Sequence, residues 1–439
     1  PAGEETLPGR RFQRTGGRAD PRASAFDTAS PAPATERKLF LMKQICDGIY
    51  AVGALNPAMR VFDIVMTTDY GTSYNSYLVK GQQKTALIDV CHKSFFEPYL
   101  QNIREVCDPK SIDYIVLNHN EPDHTGALAE LLPELGDVTI YTSQAGSIYI
   151  KAITNRQDLN LHVVKDGETL DLGGKTLKFI SAPFLHWPDS IFTYLPEDKV
   201  VFTCDFLGAH YAEPYTFDYN MAYPEKYGKA LHSYYDAIFG PFRKYVQAGL
   251  QKLDALSFDM VLPSHGPVLT TGTMLETAIA RYRGWSAPVQ REEKLAVVFY
   301  TSAYGNTKRL AVEVMDGIRE SGKQVEVRLC DIIEHPMAEL RQLLNECDAF
   351  AIGTPTINRD AVPPVWELLA GMDAVNSAKR PCAVFGSFGW SGEGTGNVAA
   401  RLQSLKCALV DEPLRATFVP TREDLQRARE LGARLAEQL

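Results

Sequence analysis

The chain of 439 residues lacks several features, and each absence removes a class of function. It contains no apolar run of about 18 residues, which excludes a membrane-spanning helix. No charged-then-apolar segment with a small-residue cleavage site opens it, so a secretory signal is not expected. There is no long basic block, and the formal net charge is -9, a balance that disfavours nucleic acid as a partner. Eight cysteines are present (Cys46, Cys91, Cys107, Cys204, Cys330, Cys347, Cys382 and Cys407), but no CxxC pair. That argues against a rubredoxin-type or zinc-ribbon module, and scattered thiols are expected to stay reduced in a cytoplasmic protein. Two phosphate-binding signatures are missing as well: the loop Thr301–Thr307 lacks the GK[ST] ending of a triphosphate loop, and the GxGxxG fingerprint of a dinucleotide fold is absent.

What is present is ordinary globular material: 45% hydrophobic and 23% charged residues, in a length that suits two or three domains. Residues 1–41 stand apart, rich in Pro, Ala, Gly, Arg, Ser and Thr with no apolar period. Such a composition cannot bury enough surface to offset backbone ordering, so a disordered leader is expected there, with Met42 a plausible natural start. Arg and Ser suit a transit peptide, but Glu4, Glu5, Asp20, Asp27 and Glu36 count against one.

From 42 to 290 short β-rich runs alternate irregularly with helices. Strands are expected over Gly48–Ala54, Tyr77–Lys80, Thr85–Val90, Tyr114–Asn118 and Val138–Thr142, and helices over Phe95–Val106 and Gly126–Leu135. A β-rich block follows from Leu159 to Thr203, broken by turns at Asp166-Gly167 and Gly173-Gly174. This mixture predicts an α/β fold with two stacked sheets. A polar stretch containing Pro288 marks a linker near Ser286–Lys294. From 291 to 439 strand and helix alternate regularly, with strands over Leu295–Tyr300, Ala349–Ile352 and Ala383–Gly386 and a helix over Lys308–Ser321, the pattern of a doubly wound parallel sheet.

Chemistry concentrates in His119-Asn120-Glu121-Pro122-Asp123-His124, directly after an apolar strand. Four ligand-type side chains in six residues can turn toward one point from a loop, and Pro122 disfavours helix through it. His186, Asp205 and His265 each follow an apolar run, where binding groups of α/β folds gather. Each of the three alone reads sooner as a hydrogen-bonded core or loop residue; together with the first cluster they predict a metal site. Replacing an imidazole by the Glu121 carboxylate makes that site harder and more anionic, which suits iron better than zinc. Two ferrous ions, three carboxylates (Glu121, Asp123, Asp205) and one hydroxide sum to neutrality, which limits the desolvation cost of burial.

Three further loops suggest an anion and ring site. Thr301-Ser302-Ala303-Tyr304-Gly305-Asn306-Thr307 opens a helix after the strand Leu295–Tyr300. Thr354-Pro355-Thr356-Ile357-Asn358 and Ser387-Phe388-Gly389-Trp390-Ser391-Gly392 follow the next two strands. The first alone could be ordinary helix capping, and Trp390 either borders a ring or simply packs.

These residues resemble a known family. The loop is similar to the HxHxDH loop of the metallo-β-lactamase superfamily, and its HxExDH form with the later His, Asp and His resembles the flavodiiron proteins, over about residues 44 to 439. The resemblance implies a metallo-β-lactamase-like αββα sandwich followed by a flavodoxin-like domain with FMN in the three loops. It implies one iron on His119, Glu121 and His186, a second on Asp123, His124 and His265, and Asp205 as the bridge. It leaves His124 open, because members of the family can turn this side chain away. It further implies reduction of O2 to water, NO to N2O, or both; a head-to-tail homodimer; and an external electron donor such as rubredoxin or an F420-linked protein, since no rubredoxin or reductase module is fused. The alternatives are a zinc hydrolase with a regulatory flavodoxin part and a non-catalytic redox or gas sensor.

Overall fold

The structure, a computed structural model, describes residues 42–288 and 291–439. The expected leader and two residues of the expected linker lie outside them. Among the described residues no helix is long and apolar enough to cross a membrane.

Two sheets form the first half. One has seven strands, in the order Lys43–Cys46, Ile49–Ala51, Tyr77–Lys80, Thr85–Ile88, Tyr114–Val116, Thr139–Thr142 and Leu161–Val163. The other has six: Thr169–Asp171, Thr176–Ser181, Ile191–Leu195, Val200–Cys204, Met260–Pro263 and Leu269–Thr270. Strand alternation sorts the side chains into layers. Tyr77, Val79, Ala86, Ile88 and Val116 of the first sheet pack on Leu177, Phe179, Leu195, Val200, Phe202 and Leu262 of the second. The opposite face of the first sheet (Leu78, Leu87, Ile115) covers the helix Phe96–Val106 through Leu100 and Ile103. The opposite face of the second (Phe192, Tyr194, Val201, Val261) covers Leu231, Val246, Leu250 and Tyr282 of three helices. This is the αββα sandwich that the resemblance implied.

Residues 294–417 build a third sheet, all parallel, in the order Val325–Asp331, Lys294–Tyr300, Ala349–Gly353, Pro381–Phe388, with Ala408–Leu409 and Leu414–Thr417 both beside the last. That is the 2-1-3-4-5 arrangement of flavodoxin-like folds, whose switch point lies between the first and third strands. Two helices, Asn306–Arg319 and Arg422–Glu437, cross closely on one face. Gly317 and Gly432 permit it: a Cβ there would lie 1.9 Å from Arg429 O and 2.0 Å from Val314 O.

Two local expectations are corrected. Pro122 does not prevent helix. It occupies the first position of a one-turn helix, Pro122–Thr125, where its missing N–H has no intrahelical partner to lose. The helix expected over Gly126–Leu135 is only the turn Leu128–Leu131 and a 3-10 turn Leu132–Glu134, because Pro133 cannot donate in a continuing ladder.

Candidate metal centre and flavin site

Strand direction brings the ligand-type residues to one edge. The parallel strands Val200–Cys204 and Met260–Pro263 end side by side, delivering Asp205 and His265. Ile191–Leu195 runs antiparallel to the first of these, so the loop before it, with His186, arrives at the same edge. The segment His119–His124 leaves the strand Tyr114–Val116 of the facing sheet. Asp89 ties the two sheets beneath it: its carboxylate accepts Asn118 N at 2.7 Å and Asn118 Nδ2 at 3.0 Å, and Asn118 Oδ1 accepts Thr193 Oγ1 at 2.7 Å. Non-glycine residues in the left-handed region (Asp89, Phe184, Cys204, Leu207) cluster on these turns, backbone strain of the kind found at functional sites.

All seven side chains meet, and they meet as two groups. Glu121 Oε2 lies 3.1 Å from His119 Nε2 and 3.0 Å from His186 Nε2. Asp123 lies 3.0 Å from His265 Nε2 through Oδ2 and 3.3 Å from His124 Nε2 through Oδ1. Asp205 stands between: Oδ1 faces His124 and His265 at 3.0 and 3.4 Å, and Oδ2 faces His119 and His186 at 3.5 Å each. The donor atoms of His119, Glu121, His186 and Asp205 all fall within 4.8 Å of one another, as do those of Asp123, His124 and His265. His124 is therefore turned inward.

The donor set fits two cations. Both oxygens of Asp123, Oδ2 of Asp205 and Nε2 of His124 are buried without a hydrogen bond, although ligand-type atoms stand 3.0–3.5 Å away. Buried charged groups that converge without bonding one another cost several kcal/mol each, roughly, unless an ion takes their lone pairs. Without a metal, protons fill that role. Burial works against charge on Glu121, yet hydrogen bonds from His119 and His186 hold its carboxyl well below the usual range. Burial likewise opposes the His124 imidazolium, but Asp123 and Asp205 push its pKa up to about 9.

Outer partners fix the rings. Asp189, fully buried, places both oxygens 3.2 Å from His119 Nδ1 and is anchored by Asn120 N at 2.7 Å and Asn120 Nδ2 at 2.9 Å. His265 Nδ1 donates to Ser73 O at 2.6 Å. In both rings Nδ1–H is engaged, which leaves the Nε2 lone pair for a metal. Tyr234 Oη donates to Asp205 Oδ1 at 2.9 Å. Sequence reasoning missed these partners. Asp189 carried a signal, three residues after His186; Ser73 and Tyr234 lie far away in the chain and carried none. Cys204 also approaches His124 and Asp205, but burial pushes its thiol well up, and it accepts Ser264 Oγ at 3.2 Å.

The three loops of the second half share the carboxyl edge of the parallel sheet. Thr301 N donates to Gly353 O at 3.1 Å, and Thr307 Oγ1 meets Ser387 Oγ at 2.9 Å, so the loops are cross-braced. Gly305, at φ +79°, precedes the helix Asn306–Arg319, and Ser302 Oγ accepts Lys308 N at 3.2 Å. Thr356 Oγ1 accepts Gly394 N at 3.3 Å, and Asn358 is left-handed, at φ +54°. Around this cradle Ala303, Tyr304, Ile357 and Trp390 are exposed, the tryptophan by 97%. An open aromatic ledge beside a helix N-terminus fits a phosphate and a planar ring.

Comparison with known proteins agrees with this division. The ODP family beta lactamase profile matches residues 72–266, and the flavodoxin profile matches residues 298–432. The flavo-diiron protein FprA2 of Clostridium acetobutylicum is 49% identical over 397 residues, covering 90% of this chain and 99% of that protein. The chain belongs to the flavodiiron protein family. A nitric oxide reductase of Moorella thermoacetica is 33% identical, covering 90% of this chain and 98% of the relative. Among solved flavodiiron structures, rubredoxin oxygen:oxidoreductase of Desulfovibrio gigas superposes with a TM-score of 0.63 at 28% identity, covering 91% and 98% of the two chains.

Proposed function

We propose that this flavodiiron protein reduces O2 to water, NO to N2O, or both, at a non-haem di-iron centre supplied with electrons through FMN. The observation that carries the reading is the division of seven donors, six buried and His186 half-buried, into two sets sharing the Asp205 carboxylate. His119, Glu121 and His186 would hold one iron, Asp123, His124 and His265 the other, with Asp205 across both. FMN would sit on the loops Thr301–Thr307, Thr354–Asn358 and Ser387–Gly392. The boundaries that go with this reading are 42–290 and 291–439.

When bound, the iron pair and the flavin can each store two electrons, enough together for one O2 or two rounds of NO coupling. The chain does the rest. Glu121 and Asp123 show one edge to a pocket of about 190 Å³ bordered by Asp63, Tyr74 and His92, large enough for a diatomic molecule. Burial and a hydrogen bond with Glu121 push the Asp63 carboxyl up to about 6, so it holds a proton at the pocket wall in mildly acidic conditions. The ferric and ferrous preference follows from three carboxylates and four imidazoles, a harder set than a zinc hydrolase uses.

Relatives named as a nitric oxide reductase and a rubredoxin oxygen:oxidoreductase support this substrate range and a rubredoxin-type donor. A head-to-tail homodimer would cover the exposed ledge of Tyr304, Ile357 and Trp390. The eight free cysteines suit a cytoplasmic setting. The test is gas consumption by anaerobically purified protein with excess artificial reductant, O2 and NO in parallel. Turnover of either gas that vanishes in Asp205→Ala supports the reading; no consumption with iron and FMN both present overturns it.

A further inference from the structure

Behind Asp189 a further layer of side chains joins His119 to the helix Gln144–Thr154. Asn120 is its hub, and it is completely buried, as are Asp189 and Thr142. The Asn120 side-chain nitrogen lies 2.9 Å from Asp189 Oδ2 and 3.1 Å from Thr142 Oγ1. The carboxylate decides which way this amide points. Turned over, it would set Oδ1 of Asn120 against Oδ2 of Asp189, two acceptors with no hydrogen between them. Nδ2 therefore faces Asp189, and its two hydrogens serve Asp189 and Thr142. Thr142 Oγ1 accepts the second of these and gives its own hydrogen to Leu117 O at 3.3 Å. Every donor in the series is thus assigned, and the series ends on the two carboxylate oxygens that face His119 Nδ1.

Two features around Asn120 are unfavourable taken alone. Asn120 Oδ1 is buried and has no hydrogen-bond partner among the described residues. Gly146 stands in the first turn of the helix, where glycine is a poor helix former. Its φ is not positive, so the backbone does not require glycine there. Space does: a Cβ on Gly146 would lie 2.2 Å from Thr142 Oγ1 and 2.4 Å from Asn120 Nδ2. Contacts that short displace one atom or both, and a fully buried site leaves neither anywhere to go. The missing Cβ and the unpaired oxygen then have one explanation, because both leave Asn120 Nδ2 on Asp189.

We propose that Thr142 and Gly146 are positioning residues of the metal centre: they fix the Asn120 amide, which holds Asp189 on His119 Nδ1 and so sets the direction in which the imidazole is offered to iron, a role that rests on the di-iron reading above. Thr142 does so by accepting the second amide hydrogen, and Gly146 by keeping its place beside that amide empty. A change at either lets the amide turn, takes one hydrogen bond from Asp189 Oδ2 and frees the His119 ring. The iron assigned to His119, Glu121 and His186 should feel this first. The iron assigned to Asp123, His124 and His265 has no ligand in the series.

The test uses the full chain loaded with iron and FMN, and it reads the metal rather than the gas. Thr142→Val keeps the shape and removes the hydroxyl; Thr142→Ser keeps the hydroxyl; Gly146→Ala adds the Cβ. Thr142→Val and Gly146→Ala should release one iron per chain at a roughly tenfold lower chelator concentration than wild type, the low end of what a partner behind a ligating His contributes. Before chelation, one of the two iron signals in the Mössbauer spectrum should shift and the other stay. Thr142→Ser should return both readouts to wild type, and FMN content should be unchanged throughout. If Gly146→Ala fails to take up FMN, the two Thr142 variants decide. Wild-type retention in Thr142→Val overturns the proposal, as does an equal effect on both irons, the mark of a general loosening of the core. Thr142→Ser that behaves like Thr142→Val overturns it too. A wild-type protein that holds both irons and consumes neither gas would sink the functional reading and leave these readouts to decide, whereas one that binds no iron overturns both.

Discussion

The Asp205 carboxylate directs Oδ1 at His124 Nε2, 3.0 Å away, while its other oxygen faces His119 and His186. One side chain therefore belongs to both halves of the cluster. Asp205→Asn keeps the shape but gives up the charge and one acceptor. We expect at least one of the two irons to be lost or loosened, gas turnover to fall on the order of 100-fold, and exchange coupling between the irons to disappear from the Mössbauer or EPR spectrum. A variant with two coupled irons and unchanged turnover would mean that Asp205 is not the bridge.

Asp189 acts on the centre without reaching the ligand atom of His119. It holds Nδ1–H and so fixes which nitrogen is offered inward. Asp189→Asn should weaken iron binding by about 10–100-fold, read as iron retained per chain after dialysis against a graded chelator. The FMN content should stay as in wild type, because no residue of the flavin loops touches Asp189 in its hydrogen-bond network. Iron retention equal to wild type would reduce Asp189 to a packing role.

The pH response of the metal-free protein follows from His124. Burial alone would lower its pKa, but Asp123 and Asp205 raise it from 6.5 to about 9. A raised folded-state pKa stabilises the fold fully below the unfolded value, and the contribution is lost as pH rises through the folded one. Metal-free protein should therefore lose thermal stability between pH 6.5 and about 9. Iron replaces the proton, so loaded protein should not lose this contribution, and the gap between the two melting temperatures should widen across that window. Calorimetry of both forms at several pH values measures it; a constant gap would show that His124 stays neutral or turned away.

Much of this was legible in the chain. The seven ligand-type residues stood out because loops after apolar strands carried unusual densities of His, Asp and Glu, and strand direction then had to bring them together. The three flavin loops were legible for the same reason, through glycine and hydroxyl residues at the ends of strands. What stayed hidden depends on contacts between distant segments. The pairing of Asp89 with Asn118, the bond from Tyr234 to Asp205, and the contact of Thr72 with His210 join residues 29 to 138 positions apart, and no local period records them. Pro122 misled for a local reason: the rule that proline opposes helix fails at the first helical position, where it sits.

The flavin half can be separated from the metal half by one residue. Gly305 has φ +79°, a conformation that an L side chain adopts only with strain, and it immediately precedes the helix whose N-terminus faces the expected phosphate. A Cβ at this position would meet nothing within 4 Å, so Gly305→Val adds no clash, and its effect comes through the backbone. The β-branched residue resists positive φ and should rotate the loop, turning the amides of Asn306 and Thr307 away from the anion. We expect FMN affinity to drop by about 1–3 kcal/mol, or roughly 5- to 150-fold, measured by quenching of flavin fluorescence. Iron content should be unchanged, and turnover should recover when excess FMN is added. If affinity is unaltered, the phosphate is held elsewhere; if iron is lost together with FMN, the two halves depend on each other for folding.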